Sequence, residues 1–444
     1  MIKSWTYEDK LKVITEKAKR DKKLKFTSLA HLINEISLAQ SYEKLNKASA
    51  CGSDGVTVED YGNNMGDNIA ILNTLIRSKK YKPQPVRRVY IPKDGSGRTR
   101  PLGLPSVEDK LVQTVLKEIL EAIFEQDFLD CSHGFRPGKS CHTAIGELDQ
   151  EVMRKPINFV VEVDIKKFFD SVNHKWLYEM LRQRISDPVF LGLIWRTLRA
   201  GVMENGTATS SDEGTPQGGI VSPMLANIYL HYVLDLWFEK RFKKQAKGYV
   251  KLIRYCDDFV VVCESEHDAK QFLLQLKERL AKFSLEISKE KTQVIKFGKK
   301  AWRQANKTGS KVKSFDFLGF THYCKANRNG WFGMGHKTSK KRLASKLKGF
   351  NQWLRNIRNI CPMRNWWKLV KAKLRGYYNY FGINGNIKCL IQYYWYVKQI
   401  CFKWINRRSQ KKSMSWKQFV QYMQWNPLPE PKIYHNIWVK RTSK

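Results

Sequence analysis

Asp164, Asp257 and Asp258 are the side chains of this sequence best placed to do chemistry together. Asp164 ends a mostly apolar, β-branched run, Phe159-Val160-Val161-Glu162-Val163, and Asp257-Asp258 stand between Leu252-Ile253-Arg254-Tyr255 and Phe259-Val260-Val261-Val262. Carboxylates are the hard oxygen donors that Mg²⁺ prefers. Two such ions can stabilise the attacking and leaving oxygens of an in-line phosphoryl displacement. Three carboxylates gathered without a cation would repel one another, so bound divalent ions are the natural resolution. Taken singly, a double Asp reads as turn chemistry and a strand-end Asp as a helix cap. Only convergence on neighbouring strands of one sheet makes them a site.

The elements that must position them can be read from periodicity. Phe159–Val163 predicts a strand, and Ile165 to Ile185 has helical apolar spacing. The two runs around Cys256-Asp257-Asp258 predict a tight hairpin with two carboxylates at its tip. Ser222-Pro223, after the loop Gly214-Thr215-Pro216-Gln217-Gly218-Gly219, predicts the start of an apolar helix from Met224 to Phe238. Residues 1 to about 60 read as charged helices ending at the turn Cys51-Gly52-Ser53-Asp54-Gly55. A short β-like run, Arg88-Val89-Tyr90-Ile91, leads into the basic, Gly-rich loop Pro92 to Arg100, a type of backbone that can approach phosphates closely.

Lys and Arg number 80 against 41 Asp and Glu, a formal charge of +39, which draws in polyanions. From Phe317 to Lys444 stand 27 Lys or Arg and one acid, Glu430, interleaved with Trp366, Trp367, Tyr377, Tyr378, Tyr380, Tyr393, Tyr394, Trp395, Tyr396, Trp404, Trp416 and Trp425. Cations that neutralise phosphate and rings that stack on bases suit RNA or single strands better than sequence-read duplex DNA. No stretch approaches the ~20 uninterrupted apolar residues of a spanning helix, and the start Met1-Ile2-Lys3-Ser4-Trp5 lacks a secretory apolar run. A cytoplasmic protein of the bacterial cytosol or nucleoid, without a membrane partner, is the expectation. The nine cysteines are scattered, with no Cys-x-x-Cys pair, which argues against a disulfide framework or a structural zinc site.

Seven segments in order resemble the reverse transcriptases of group II introns, the maturase family. They are Arg88–Lys93 through Arg100-Pro101-Leu102-Gly103-Leu104-Pro105; Ser132-His133-Gly134-Phe135-Arg136-Pro137-Gly138; Asp164-Ile165-Lys166-Lys167-Phe168-Phe169-Asp170; Thr215 to Pro223; Tyr255-Cys256-Asp257-Asp258; Leu285 to Thr292; and Phe317-Leu318-Gly319-Phe320. Leu374-Arg375-Gly376-Tyr377-Tyr378-Asn379-Tyr380-Phe381 is similar to the family's thumb, or domain X. The resemblance implies an α+β right-hand polymerase: a helical extension over 1–60, fingers and palm with an antiparallel sheet over 61–324, and a basic helical thumb over 325–444. It implies primer extension on an RNA template, with structured intron RNA bound for splicing and retrohoming. The other reading is a domesticated relative in phage defence or DNA repair, working with a noncoding RNA.

Residue by residue, the resemblance makes Asp164, Asp257 and Asp258 the catalytic acids. Together with Ile165 they are the expected holders of two Mg²⁺ ions, for which Mn²⁺ can substitute. Lys93 and Arg100 match residues that grip the incoming triphosphate, a use suited to a point charge and a planar fork. Gln217 matches a residue of the nucleotide pocket. Phe169 matches the aromatic gate that collides with a ribose 2′-hydroxyl, and Lys291 is read either as a phosphate contact or as a solvated lysine. RNA, a DNA primer or target and dNTPs are the implied partners; the oligomeric state is left open. The chain departs from the family where Cys256 replaces the usual Ala. It also lacks the paired cysteines and His/Asn cluster of the nuclease domain that some members carry, so second-strand cleavage is not expected.

Overall fold

The N-terminal helices begin where a side chain can close their free amides. Thr6, Asn34 and Thr57 each accept a hydrogen bond from the third helical amide, and the residue there bonds back to the cap backbone. In the computed structural model, which describes residues 5–92, 99–204, 207–209, 214, 218–408 and 413–437, these caps open α1 (Tyr7–Arg20), α2 (Glu35–Glu43) and α3 (Val58–Asn63). Helix α4 (Met65–Arg77) follows. Helices α1 and α2 pack against α5 (Val107–Phe124), whose Leu111, Val115, Ile119 and Phe124 are wholly buried. The N-terminal helices therefore share one apolar core with the strands that carry the acids.

Strands β1 (Val86–Pro92) and β2 (Thr99–Leu104) form an antiparallel hairpin with Ile91 opposite Arg100. A short parallel pairing adds β4 (Val202–Glu204) to β1, and β5 (Thr207–Thr209) completes this mixed sheet in the order β2-β1-β4-β5. A second sheet is antiparallel throughout, in the order β6-β7-β3-β8: β3 (Phe159–Val163), β6 (Val250–Tyr255), β7 (Asp258–Cys263) and β8 (Gln293–Lys296). Val160, Val161, Val260, Val261 and Val262 are wholly buried, because both faces of the sheet are covered. One face meets α6 (Cys141–Arg154) and the phenylalanines of a third sheet. The other meets α5, α7 (His174–Leu181), α8 (Pro188–Leu198), α9 (Ser222–Leu230) and α11 (Glu266–Ala281). Burial on both faces explains why these strands read as continuous apolar runs.

The helix expected over Ile165–Ile185 is interrupted. Lys167 takes a left-handed backbone (φ 45°), a single 3₁₀ turn follows at Phe168–Asp170, and Asn173 caps α7 afresh. The apolar helix at Ser222 begins as read from the sequence, with Val221 rather than Ser222 at the cap position. It runs past Phe238 through wide, π-type turns at His231–Asp235 and Phe238–Phe242 into α10 (Lys243–Gln245).

Helix α12 (Lys299–Thr308) leads to the third sheet, β11-β10-β9, built from β9 (Phe315–Phe317), β10 (Phe320–Ala326) and β11 (Phe332–Thr338). Helices α13 (Lys340–Ile357), α14 (Met363–Phe381), α15 (Ile387–Ile405) and α16 (Trp416–Trp425) bury their own core around Leu354, Trp366, Tyr378, Val397 and Phe419. The nine cysteines are free thiols. No helix among the described residues is long and apolar enough to cross a membrane.

Candidate active site

The hairpin that carries two of the acids turns in the smallest possible space. Tyr255 pairs with Asp258, leaving Cys256 and Asp257 as the turn, and Cys256 accepts the left-handed backbone (φ 56°) that such a turn demands. On the neighbouring strand Val163 lies opposite Phe259. One further step in that register sets Asp164 opposite Asp258. A slip of one residue would turn one of these side chains to the other face, so burial of the flanking valines fixes the acids as well.

Asp164 and Asp257 line a cavity of about 1020 Å³ together with Arg100, Ile165, Phe169 and Lys291. Asp258 opens onto solvent while protein crowds it from the other sides. Burial, then Asp257, then Asp164 push its carboxyl up to about 7, against the opposing pull of Lys291 and Arg100. Asp257 is also pushed up, chiefly by burial. Lys291 Nζ bonds Asp164 Oδ2 at 2.7 Å from an exposed position. No three His, Cys, Asp or Glu side chains among the described residues gather closely enough to enclose an ion. The acids share a neighbourhood, and the ammonium of Lys291 answers the charge of Asp164.

Ile165 is buried and faces Ile287 in an isolated antiparallel bridge, where Lys166 and Ser288 donate to the carbonyls of Glu286 and Asp164. That pattern is a non-hydrogen-bonded pair, so the bridge does not consume the Ile165 carbonyl. Phe169 is half-buried, edge-on to the buried Phe168 at 5.4 Å. Lys93 and Gln217 lie outside the described residues. Gly214 and Gly218, which flank the Gln217 segment, are both at positive φ (91° and 110°). A Cβ on Gly218 would stand 2.4 Å from the Gly103 carbonyl, and one on Gly214 would stand 3.2 Å from that of Phe169. Only glycine permits both approaches.

Sequence reasoning passed over Arg254. It is wholly buried and bonds Asp235 Oδ1 and Oδ2 (2.7 and 2.5 Å), Asn227 Oδ1 (3.0 Å), Ser132 Oγ (2.8 Å) and the Cys256 carbonyl (3.0 Å). Burial alone would disfavour the charged guanidinium, but Asp235 more than offsets that. The signal was present: a charge inside an apolar strand must find a partner, and Asp235 in an apolar helix is the same clue from the other side. Gly134 seals this arrangement, since a Cβ there would meet the Cys256 amide nitrogen at 2.5 Å.

In the C-terminal helices six of the aromatics singled out from the sequence (Trp366, Trp367, Tyr377, Tyr378, Tyr393, Trp404) are core, whereas Tyr380, Trp395, Tyr396, Trp416 and Trp425 are exposed. Arg355, Arg358, Lys403 and Arg407 line a groove over Trp404 that contains no carboxylate. Packing explains half of the rings, and Arg355, Lys403 and Arg407 are exposed.

Residues 91–322 match the family model described as reverse transcriptase (RNA-dependent DNA polymerase). The chain is 28% identical to the group II intron-encoded protein LtrA of Lactococcus lactis, over 82% of this chain and 72% of that protein. It is 36% identical to protein YkfC of Escherichia coli over 48% of this chain and 62% of that protein. With the putative COX1/OXI3 intron 1 protein of Saccharomyces cerevisiae the identity is 32% over 60% of this chain and 37% of that protein. The family match covers more than half of the chain and runs through the β3 and β6–β7 strands that bear the acids, and this chain belongs to the reverse transcriptase family.

Proposed function

We propose that this reverse transcriptase extends a DNA primer on an RNA template at the cavity lined by Asp164 and Asp257, with Asp258 beside it. The observation that carries the assignment is the strand register, which sets Asp164 opposite Asp258 at the turn that presents Asp257. The donor types suit divalent cations: hard carboxylates, with Asp258 pushed up to about 7 by burial first and by Asp257 and Asp164 next, beside a carbonyl, that of Ile165, left free by its bridge. Asp164, Asp257, Asp258 and Ile165 would hold them. Bound there, two Mg²⁺ ions would supply charge stabilisation for the attacking and leaving oxygens.

The chain's own residues do the rest. Arg100 presents a guanidinium to the cavity, suited to the polyphosphate of a dNTP; Lys93 and Gln217 join it in this reading. Phe169 lines the same cavity and in this reading is the ring that meets a ribose 2′-hydroxyl. Lys291 holds Asp164 in place until cations enter. The β3/β6–β8 sheet would be the palm, the β1-β2 hairpin part of the fingers, and α13–α16 the thumb. The thumb boundary expected at 324/325 falls inside β10, so we place it after Thr338. Of the N-terminal extension expected over 1–60, helices α1 and α2 pack onto α5.

Asp257→Asn tests the reading directly. It is expected to abolish dNTP incorporation while leaving RNA binding nearly intact, and retained synthesis would refute the assignment.

The second role is that of a maturase that holds structured intron RNA, as the group II relatives suggest. The carboxylate-free groove of Arg355, Arg358, Lys403 and Arg407 supports it, because such a surface favours a polyanion. Splicing assistance that survives loss of the three acids would separate binding from synthesis.

A further inference from the structure

The segment Ser132–Gly138 carries one residue that the polymerase reading leaves unused. Phe135 is 54% exposed and holds a left-handed backbone (φ 54°), an unfavourable conformation for a bulky side chain. Its neighbours enforce it. On one side Gly134 is pressed against the Cys256 amide, and its carbonyl accepts from Asn227 Nδ2 at 2.6 Å. On the other, buried Arg136 chelates the Glu125 carboxylate at 2.8–3.0 Å and donates to the carbonyls of Leu129 and Ser132. The chain between these anchors can only point the ring outward. Strain of this kind collects where function requires it. The other left-handed non-glycine residues include Lys167, Cys256 and Leu318, each in a segment that resembles the family's motifs.

The ring stands 6.0 Å from that of Tyr255. Tyr255 pairs directly with Asp258, and directly opposed residues of an antiparallel ladder project from the same face. Phe135 and Tyr255 thus make a two-ring platform beside the acids. Phe135 does not line the cavity that Arg100 and Phe169 share, which sets it apart from residues that would touch the incoming nucleotide. Resting on the polymerase reading, we propose that Phe135, with Tyr255, is a contact for the primer strand just behind its reactive end, packing on a sugar or base face of DNA.

Phe135→Gly and Phe135→Asn provide the test, because both residues accept a left-handed backbone. They remove the ring while relieving the strain, so the melting temperature holds or rises. The Kd for a fluorescently labelled DNA primer on an RNA template, read by anisotropy, is expected to rise about tenfold, in line with one lost stacking contact. In extension assays the KM for primer–template rises and the KM for dNTP does not. Phe135→Tyr restores both. Unchanged primer affinity in Phe135→Gly, a change confined to the dNTP KM, or a lowered melting temperature that Phe135→Tyr does not rescue would overturn the proposal. Wild-type protein that binds the duplex but incorporates nothing would instead overturn the polymerase reading, and the anisotropy series would still decide on Phe135.

Discussion

Replacing Arg254 by Met should separate what holds the Cys256-Asp257 turn from what holds the fold. The guanidinium has no solvent exposure and no slack: both Asp235 oxygens, Asn227, Ser132 and the Cys256 carbonyl take its protons. Met fills similar volume but strands the buried Asp235 carboxylate, and breaking a buried pair from one side costs about 3–5 kcal/mol. Arg254→Met with Asp235→Leu removes both charges, so the double variant should be less destabilised than the single one. Neither has a donor for the Cys256 carbonyl next to Asp257. A hairpin tip displaced by about 1 Å can cost about 100-fold in rate, so kcat should stay low in both. Chemical denaturation and single-nucleotide incorporation on a primed RNA template measure the two effects side by side. If Arg254→Met leaves stability unchanged, the buried-charge reasoning is wrong. Full kcat in the double variant would show that the Cys256 contact does not position the acids.

Phe169→Val should admit ribonucleotides, read as a lower ratio of dNTP to rNTP incorporation; unchanged discrimination would remove the gate role. Gly134→Ala should cost on the order of 1–3 kcal/mol and most of the activity, because its methyl meets backbone at Cys256 rather than a yielding side chain. The wild-type melting temperature would be an adequate disproof. Asp258 is raised from 3.8 to about 7, so folding favours its protonated form and its contribution to stability is lost as pH rises through that window. Divalent cations should relieve this loss, so added Mg²⁺ should raise the melting temperature more at pH 8 than at pH 5. An equal rise at both would speak against a cation at these acids.

Much of the site was legible because its chemistry is local. The β-branched run before Asp164, the pair of apolar runs around Cys256-Asp257-Asp258 and the capping side chains state their own elements, since strand and helix periodicities are short-range properties. Net charge is likewise a property of composition, and the basic C-terminal region follows from counting. Tertiary structure alone decided three things. It set the β3–β7 register that places Asp164 by Asp258, and it brought Lys291 to Asp164 across 127 positions. It also sorted the C-terminal rings into core and surface, where the sequence offers Trp404 and Trp425 as equals. Periodicity says which face of an element is apolar but not which other element will cover it. For the same reason Arg254 could be recognised as a buried charge in need of a partner, while its choice of Asp235, and the hairpin tip it steadies, waited on the folded chain.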